Sequence, residues 1–159
     1  MKEIQLTQGQ VALVDNEDFE LVSRYKWYAH KDGDRYYVHT NIRIGDKRVT
    51  LQMHCLLFPS QSGRVDHING NGCDNRRENL RVCTASQNSQ NMRKFIGKSK
   101  YKGVFWDGDA KKWRAQIRVN SKRLHLGRFL NDEEAALAYN VAAEKYFGEF
   151  ALLNRFDEE

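Results

Sequence analysis

The chain turns on Arg64-Val65-Asp66-His67-Ile68-Asn69-Gly70-Asn71-Gly72-Cys73-Asp74-Asn75-Arg76-Arg77-Glu78-Asn79-Leu80-Arg81-Val82, followed by Thr84-Ala85-Ser86-Gln87-Asn88. It opens as a strand that ends in a carboxylate and an imidazole. Asn69-Gly70 and Asn71-Gly72 make a loop able to take positive φ twice. Asp74 is placed to cap one helical turn through Glu78, and Leu80-Arg81-Val82 alternates as a second short strand. Thr84 with Gln87 three residues on is a capping-box start for a helix running to about Lys94. The order is strand, loop, strand, helix. Eleven residues separate His67 from Asn79, and eight separate Asn79 from Asn88.

These residue types suit phosphodiester hydrolysis, which needs an activated water, a cation on the phosphate and help for the leaving oxygen. His67, with an ordinary pKa of about 6.5, supplies a neutral base at pH 7. Asp66 offers a hard oxygen to Mg²⁺ or Mn²⁺, and Asn88 a neutral amide oxygen from the helix. Such a cation offsets charge on the phosphate and stabilises the departing oxyanion. Asn79 is placed to fix His67 or its loop by hydrogen bonding. Asn91, one helical turn past Asn88, reads as a competing ligand or a DNA contact. His54, on the apolar segment 51–58 closed by Pro59, reads either as a core residue or as a support or phosphate contact for the site. One condition applies: adjacent strand residues point to opposite faces, so Asp66 and His67 share a site only if the strand ends or twists there. The loop just beyond allows that.

Bulk properties narrow the setting. The 159 residues, 40% hydrophobic and 11% aromatic, suffice for one domain or two small ones. No run of about 18 apolar residues occurs, and Met1-Lys2-Glu3-Ile4-Gln5 lacks a signal peptide's apolar stretch, so a cytoplasmic protein without membrane contact is expected. Cys55, Cys73 and Cys83 contain no Cys-x-x-Cys pair, which argues for reduced thiols and against a disulfide framework or four-ligand zinc site. Charge is unevenly spread. Residues 1–75 hold 9 Lys/Arg against 10 Asp/Glu, residues 76–130 hold 15 against 3, and residues 131–159 hold 2 against 8. A basic middle interleaved with aromatics points to a nucleic-acid partner.

Upstream, Val11–Val14 reads as a strand and Phe19, Leu21, Val22 and Tyr25 as one face of a short helix. Segments 27–30 and 36–40 form a hairpin across Asp32-Gly33-Asp34; segments 41–44 and 48–51 form another across Gly45-Asp46. Residues 96–100 make the expected linker. Beyond it come three antiparallel strands, Tyr101–Trp106, Lys112–Val119 and Lys122–Phe129. Then Asn131 caps a helix with Ala135, Ala138, Tyr139, Ala142, Ala143 and Tyr146 on its buried face and Gly148 as terminator. Residues 155–159 are expected to be a loose tail.

Two resemblances follow from these residues. Val65-Asp66-His67-Ile68-Asn69-Gly70-Asn71, Asp74-Asn75-Arg76-Arg77-Glu78-Asn79-Leu80-Arg81 and Ser86-Gln87-Asn88 closely resemble the HNH nuclease motif of phage and intron-encoded homing endonucleases. Met53-His54 with Leu56 resembles the segment that usually precedes it. The resemblance implies a ββα-metal fold with one divalent cation on Asp66 and Asn88, His67 as general base and Asn79 in a structural role. Cys55 stands where a basic residue is expected.

Residues 100–154 resemble the plant apetala/ethylene-response-factor DNA-binding domain, through Tyr101-Lys102-Gly103-Val104, Lys112-Trp113-Arg114-Ala115-Gln116-Ile117, Leu126-Gly127-Arg128-Phe129, Glu134-Ala135-Ala136-Leu137-Ala138-Tyr139, Ala142-Ala143 and Leu152 with Asn154. This implies a three-stranded sheet laid into the DNA major groove and backed by one helix. Arg can read guanine, Gln can read adenine and Lys mostly meets phosphate. Arg114, Gln116, Arg118, Arg123 and His125 are therefore the expected groove contacts. Lys102, Lys122, Arg76 and Arg77 are the expected phosphate contacts. Trp106 reads equally as a stacking platform or as core.

The expectation is an α+β chain. Residues 1–95 form an HNH unit with a β-rich N-terminal extension and a core motif at 51–94, and residues 101–154 form a DNA-binding sheet on one helix. The function expected is a site-specific DNA endonuclease of homing type, monomeric, acting on double-stranded DNA without a protein partner. The alternative is a DNA-binding regulator with a catalytically silent HNH unit.

Overall fold

The computed structural model describes residues 1–59, 64–92 and 98–156, and the chain divides into two compact units, Met1–Asn88 and Ser89–Glu159. Small antiparallel sheets dominate both, with few helices.

In the first unit β1 (Lys2–Gln5) and β2 (Val11–Val14) form a hairpin whose turn uses positive φ at Gln8 and Gly9. A 3-10 turn at Asn16–Asp18 runs into α1 (Phe19–Val22), a single helical turn that ends before Tyr25. Strands β3 (Tyr28–Asp32), β4 (Arg35–Ile44) and β5 (Lys47–Gln52) make one antiparallel sheet. Two-residue turns at Gly33-Asp34 and Gly45-Asp46 join them, with both glycines at positive φ, the conformation that lets such turns follow the twist of the strands. The segments expected as separate strands at 36–40 and 41–44 are one continuous β4. Helix α2 (Met53–Leu57) follows, its reach limited by Pro59. Strands β6 (Arg64–His67) and β7 (Leu80–Cys83) pair antiparallel and lead into α3 (Ala85–Gln90). Val14, Val22, Val38 and Met53 are fully buried in the core, with Trp27, Leu57 and Leu80 around them. The Trp27 indole N–H donates to Val22 O at 2.8 Å, so its polar edge is satisfied where its body is buried.

Two expectations at the motif need correction. Asp74 does not cap a helical turn: its carboxylate accepts from Arg76 and Asn69, and the 3-10 turn at Arg77–Asn79 has no side-chain cap. The last helix ends at Gln90, so Asn91 stands in the turn beyond it, not one turn along the helix; Lys94 lies outside the described residues. Ser89, Gln90 and Asn91 offer little apolar surface, and serine and asparagine compete for backbone hydrogen bonds, which favours an early stop. The capping box at the start is present: Gln87 N donates to Thr84 Oγ1 at 3.2 Å and Thr84 N to Gln87 Oε1 at 2.8 Å.

The second unit stacks β8 (Val104–Asp107), β9 (Lys112–Val119) and β10 (Lys122–Phe129), in spatial order β10-β9-β8, on α4 (Asp132–Phe147). Asn131 Oδ1 accepts from Glu134 N at 2.8 Å at the helix start, and Gly148 at φ 53° ends it. Ala135, Ala136, Tyr139, Ala142 and Ala143 are buried against the sheet. Tyr146, expected on that face, is exposed, because the stripe drifts around the helix and Phe147 packs on the core instead. Tyr101 precedes the first strand and is buried against the Phe156 ring, 5.4 Å between centroids, so the chain is held at least that far. Asn154 mimics a strand partner: Lys102 N donates to its Oδ1, and its Nδ2 donates to Lys102 O. No helix among the described residues is long and apolar enough to cross a membrane.

Gly103 is where strand and helix meet most closely. It has φ 79°, and a Cβ there would stand 2.0 Å from the Tyr139 ring and 2.8 Å from Gln116 O. Backbone on one side leaves little room to relax. Gly103→Ala should cost about 3 kcal/mol, from overpacking plus an unfavourable φ. Urea unfolding followed by tryptophan fluorescence should show a lower midpoint for the transition reported by Trp106 and Trp113; an unchanged midpoint contradicts the packing argument.

Candidate active site and nucleic-acid interface

The β6–β7 hairpin places Asp66 opposite Arg81 and His67 opposite Leu80. Asp66 and His67 are adjacent yet both buried, and they face different partners. The Asp66 carboxylate accepts from Arg81 at 3.1 Å, a cross-strand ion pair in which both side chains are nearly enclosed. His67 Nε2 lies 3.3 Å from Asn75 Oδ1. An amide oxygen only accepts, so this contact is made by the tautomer that carries its proton on Nε2. Burial lowers the His67 pKa, opposed by the Asn75 hydrogen bond and by the charges of Asp66 and Asp74. The ring is therefore neutral at pH 7.

Asn75 is fully buried, and it is held by the loop and by the N-terminal hairpin. Its N–H donates to Leu13 O at 2.8 Å, Leu13 N donates to Cys73 O at 2.9 Å, and its side-chain amide donates to Gly72 O at 3.4 Å. Asn79 closes the same loop. Its Oδ1 accepts from Asn69 N at 3.0 Å, and its Nδ2 donates to Asn69 Oδ1 at 3.1 Å and to Asp74 O at 2.7 Å. Between the two possibilities for Asn79, fixing His67 or fixing its loop, the contacts are to the loop; Asn75 holds the imidazole.

His54, on α2, is brought edge-on to the His67 ring with 4.9 Å between centroids. Burial first, then repulsion from His67 and His39, pushes its pKa down to about 3. Its Nδ1 is buried and has no hydrogen-bond partner among the described residues. Tyr37 of β4 meets the His67 ring from another side at 6.1 Å. Asn88 is half-buried on α3, its N–H closing on Thr84 O. Asn91 is buried and belongs to the second unit.

Arg76 and Arg77 are both engaged by carboxylates, Arg77 while still exposed. Arg76 grips Asp74 at 2.8 Å and Glu78 at 2.6 Å, and these hydrogen bonds hold the Asp74 carboxyl below its ordinary pKa. Arg77 makes a two-pronged contact with Asp18 at 2.9 and 2.7 Å and reaches Glu17 at 3.0 Å. Arg76 braces the loop from within, and Arg77 ties it to the segment at Glu17 and Asp18.

In the second unit the face of the sheet opposite α4 carries the expected groove residues. Arg118 pairs across strands with Arg123, Gln116 with His125, and Arg114 with Arg128. Arg118, Arg123, His125 and Lys122 are exposed, while Arg114 and Gln116 are half-buried. Arg114 Nε is buried without a hydrogen-bond partner among the described residues. The Lys102 ammonium donates to Gln90 O. Trp106 packs on Trp113 at 5.1 Å on the helix side, which decides for packing over the DNA face. Arg128 was missed. A bulge between His125 and Gly127 shifts the register of β10 and turns Arg128 onto the polar face, where Asp107 holds it at 2.9 Å. The three-residue interval from Leu126 to Phe129, in a strand otherwise alternating by two, was the available signal. Asn75 had none beyond its place in the loop.

Comparison with known proteins agrees with both halves. An HNH endonuclease family model matches residues 59–90 and an AP2 domain model matches residues 99–149. An uncharacterized HNH endonuclease of Acanthamoeba polyphaga mimivirus is 30% identical over 153 residues, covering 94% of this chain and 78% of the viral protein. An AP2-like ethylene-responsive transcription factor of Arabidopsis thaliana is 44% identical over 69 residues, 40% of this chain and 12% of the plant protein. An AP2/ERF and B3 domain-containing transcription repressor of the same plant is 41% identical over 56 residues, 35% of this chain and 15% of the repressor. No solved structure matches significantly. With the motif, the loop that holds it and similarity to the viral protein over 94% of the chain in agreement, the chain belongs to the HNH endonuclease family and carries an AP2 domain C-terminal to its HNH motif.

Proposed function

We propose that the protein is a metal-dependent, site-specific DNA endonuclease of homing type that hydrolyses phosphodiester bonds as a monomer. Residues 1–95 cut, with β6, β7 and α3 as a ββα-metal core; residues 96–100 link; residues 101–154 bind the target. The observation that carries the reading is the His67 imidazole, buried, neutral and held by Asn75 at Nε2, which assigns the base role to Nδ1. In that state it takes a proton from water attacking the phosphorus. This is the logic by which a fixed hydrogen bond on one ring nitrogen sets the role of the other.

Asp66 and Asn88 would hold one divalent cation, Mg²⁺ or Mn²⁺. Their hard oxygens fit such an ion, which would have to share or displace the Arg81 contact on Asp66. Such a cation would supply charge stabilisation for the phosphate and the leaving oxygen. Asn79 keeps the loop closed. His54 suits a phosphate oxygen, since its buried Nδ1 beside His67 gains a partner there. Asn88 is preferred as ligand over Asn91, which has left the helical register.

Arg114, Gln116, Arg118, Arg123 and His125 read bases in the groove, and Lys122 and Lys102 meet phosphate. The open polar face and the unpartnered Arg114 Nε support this. Arg76 and Arg77 fit a structural role better, because a phosphate would have to displace carboxylates from them. The rival reading, a DNA-binding regulator with a silent nuclease unit, is favoured by the Asp66–Arg81 pair, which engages a proposed metal ligand.

Plasmid nicking separates the two. Cleavage should require Mg²⁺ or Mn²⁺ and fall about 100-fold or more in His67→Ala with duplex binding retained; equal cleavage by the two proteins refutes the base assignment. Because burial lowers the His67 pKa below 6.5, activity should fall only on the acid side, with its limb below the ordinary imidazole range. Asn75→Ala removes a contact that raises that pKa, so its acid limb should move to lower pH while the rate drops about 10- to 100-fold. A limb that stays in place means Asn75 does not act through His67. Arg114→Ala should cost about 1–3 kcal/mol on a selected site and much less on random duplex. A uniform loss makes it a phosphate contact.

A further inference from the structure

The β3–β4–β5 sheet is longer on one side than its core requires. Strand β3 pairs with β4 only as far as His39, while β4 and β5 continue together from Thr40↔Leu51 to Ile44↔Lys47. Residues 41–50 are thus a two-stranded ribbon, and nine of its ten residues are exposed, Ile42 alone being half-buried. Such a ribbon is marginal by itself in water. Its composition makes it worse: Arg43 stands directly opposite Arg48. Like charges in that relation destabilise a sheet. Neither arginine has a carboxylate partner among the described residues.

Alternation along β4 puts Arg43 and Asn41 on the same face as Tyr37, and Tyr37 packs on the His67 ring. The face between is polar and tied together. Thr50 Oγ1 donates to Asn41 Oδ1 at 3.1 Å, and Asn41 Nδ2 donates to the Tyr28 hydroxyl at 3.4 Å. One polar strand face therefore leads from the ring packed on the proposed catalytic imidazole to a pair of uncompensated arginines. From Tyr37 to Arg43 is six residues, about 20 Å along an extended strand. That is about six steps of duplex at 3.4 Å each.

We infer that the β4–β5 ribbon is a second DNA-reading element, in the nuclease unit itself, which enters the groove flanking the cut and places Arg43 and Arg48 on the duplex about six base pairs from the scissile phosphate. A two-stranded ribbon fits the major groove. Two facing guanidiniums that repel each other in the free protein gain their counter-charge from the phosphates. The inference rests on the reading of the chain as DNA-acting but not on its cutting, so binding is measured separately from cleavage.

The decisive variant is Arg48→Glu. It turns the repelling pair into a cross-strand ion pair, so if Arg43 and Arg48 served only the fold, the variant would be at least as good as wild type in every respect. The full-length protein is titrated onto a fluorescent 40-base-pair duplex in EDTA over a range of KCl, beside Arg43→Ala/Arg48→Ala and Arg43→Lys/Arg48→Lys. The expected result for Arg48→Glu is an unchanged or higher Tm with weaker binding. The double alanine variant should lower the slope of log Kd against log salt by about 2, and the double lysine variant should restore it. In Mg²⁺, mapped nicks made by Arg48→Glu should lose base preference on one flank, about six pairs from the break. Binding and salt slope equal to wild type in both Arg48→Glu and the double alanine variant overturn the inference, whether or not the protein cuts. Normal binding changes with no nicking by wild type would leave the ribbon in place and remove the nuclease reading instead.

Discussion

One buried amide side chain holds the geometry of the candidate active site. Asn79 bonds through its side chain to Asn69 and Asp74, accepts Ile68 N on its carbonyl at 2.8 Å and donates its own N–H to Arg76 O at 2.9 Å. It thereby shuts the twelve-residue loop to which it belongs against both strands that the loop connects. An apolar replacement would release both Asn69 contacts and leave the buried Asp74 carbonyl without this donor, at about 1–3 kcal/mol for the buried group. Inside the closed loop a series of local hydrogen bonds sets the path. Asn71 N donates to Asn69 Oδ1, Cys73 N donates to Asn71 Oδ1, and Asp74 anchors Arg76. The product of that path is the position of Asn75, and through Asn75 the orientation of His67. A Cβ at Gly72 would meet Tyr36 O at 2.4 Å, so the loop also fits against β4 with no room for a side chain.

Features set by neighbours in sequence were legible in advance. The hairpins follow from glycines in two-residue turns, the two helix starts from Thr84 and Asn131 with their partners three residues on, and the AP2 sheet from strict alternation along β9. Features set by distant partners were not. Nothing near Arg77 in the sequence announces its contact with Asp18, 59 positions earlier. Asn75 looks like one more turn residue until the fold delivers His67 and Leu13 to it. The end of α3 depended on a balance of weak propensities that no single residue announces. The register of β10 stood between these cases, since Gly127 permits the bulge but only the spacing of Leu126 and Phe129 demands it.

The arginines divide by partner more informatively than by number. Arg76, Arg77 and Arg81 each hold a carboxylate, and they fix the loop and the hairpin of the candidate site. Arg43 and Arg48 in one unit, and Arg118 and Arg123 in the other, stand opposite one another on open strand faces. That arrangement weakens each sheet. A protein free of ligand has no use for it twice. Strand geometry explains why sheets carry it: side chains two residues apart on one face are separated by about 6.6 Å, close to two steps of duplex. A strand laid along a groove can therefore offer a donor to every second base pair without bending. If both faces meet DNA, the basic character of residues 76–130 understates the interface, because part of it lies upstream in a segment whose net charge is close to zero. The nuclease unit then contributes to the choice of site as well as to the cut.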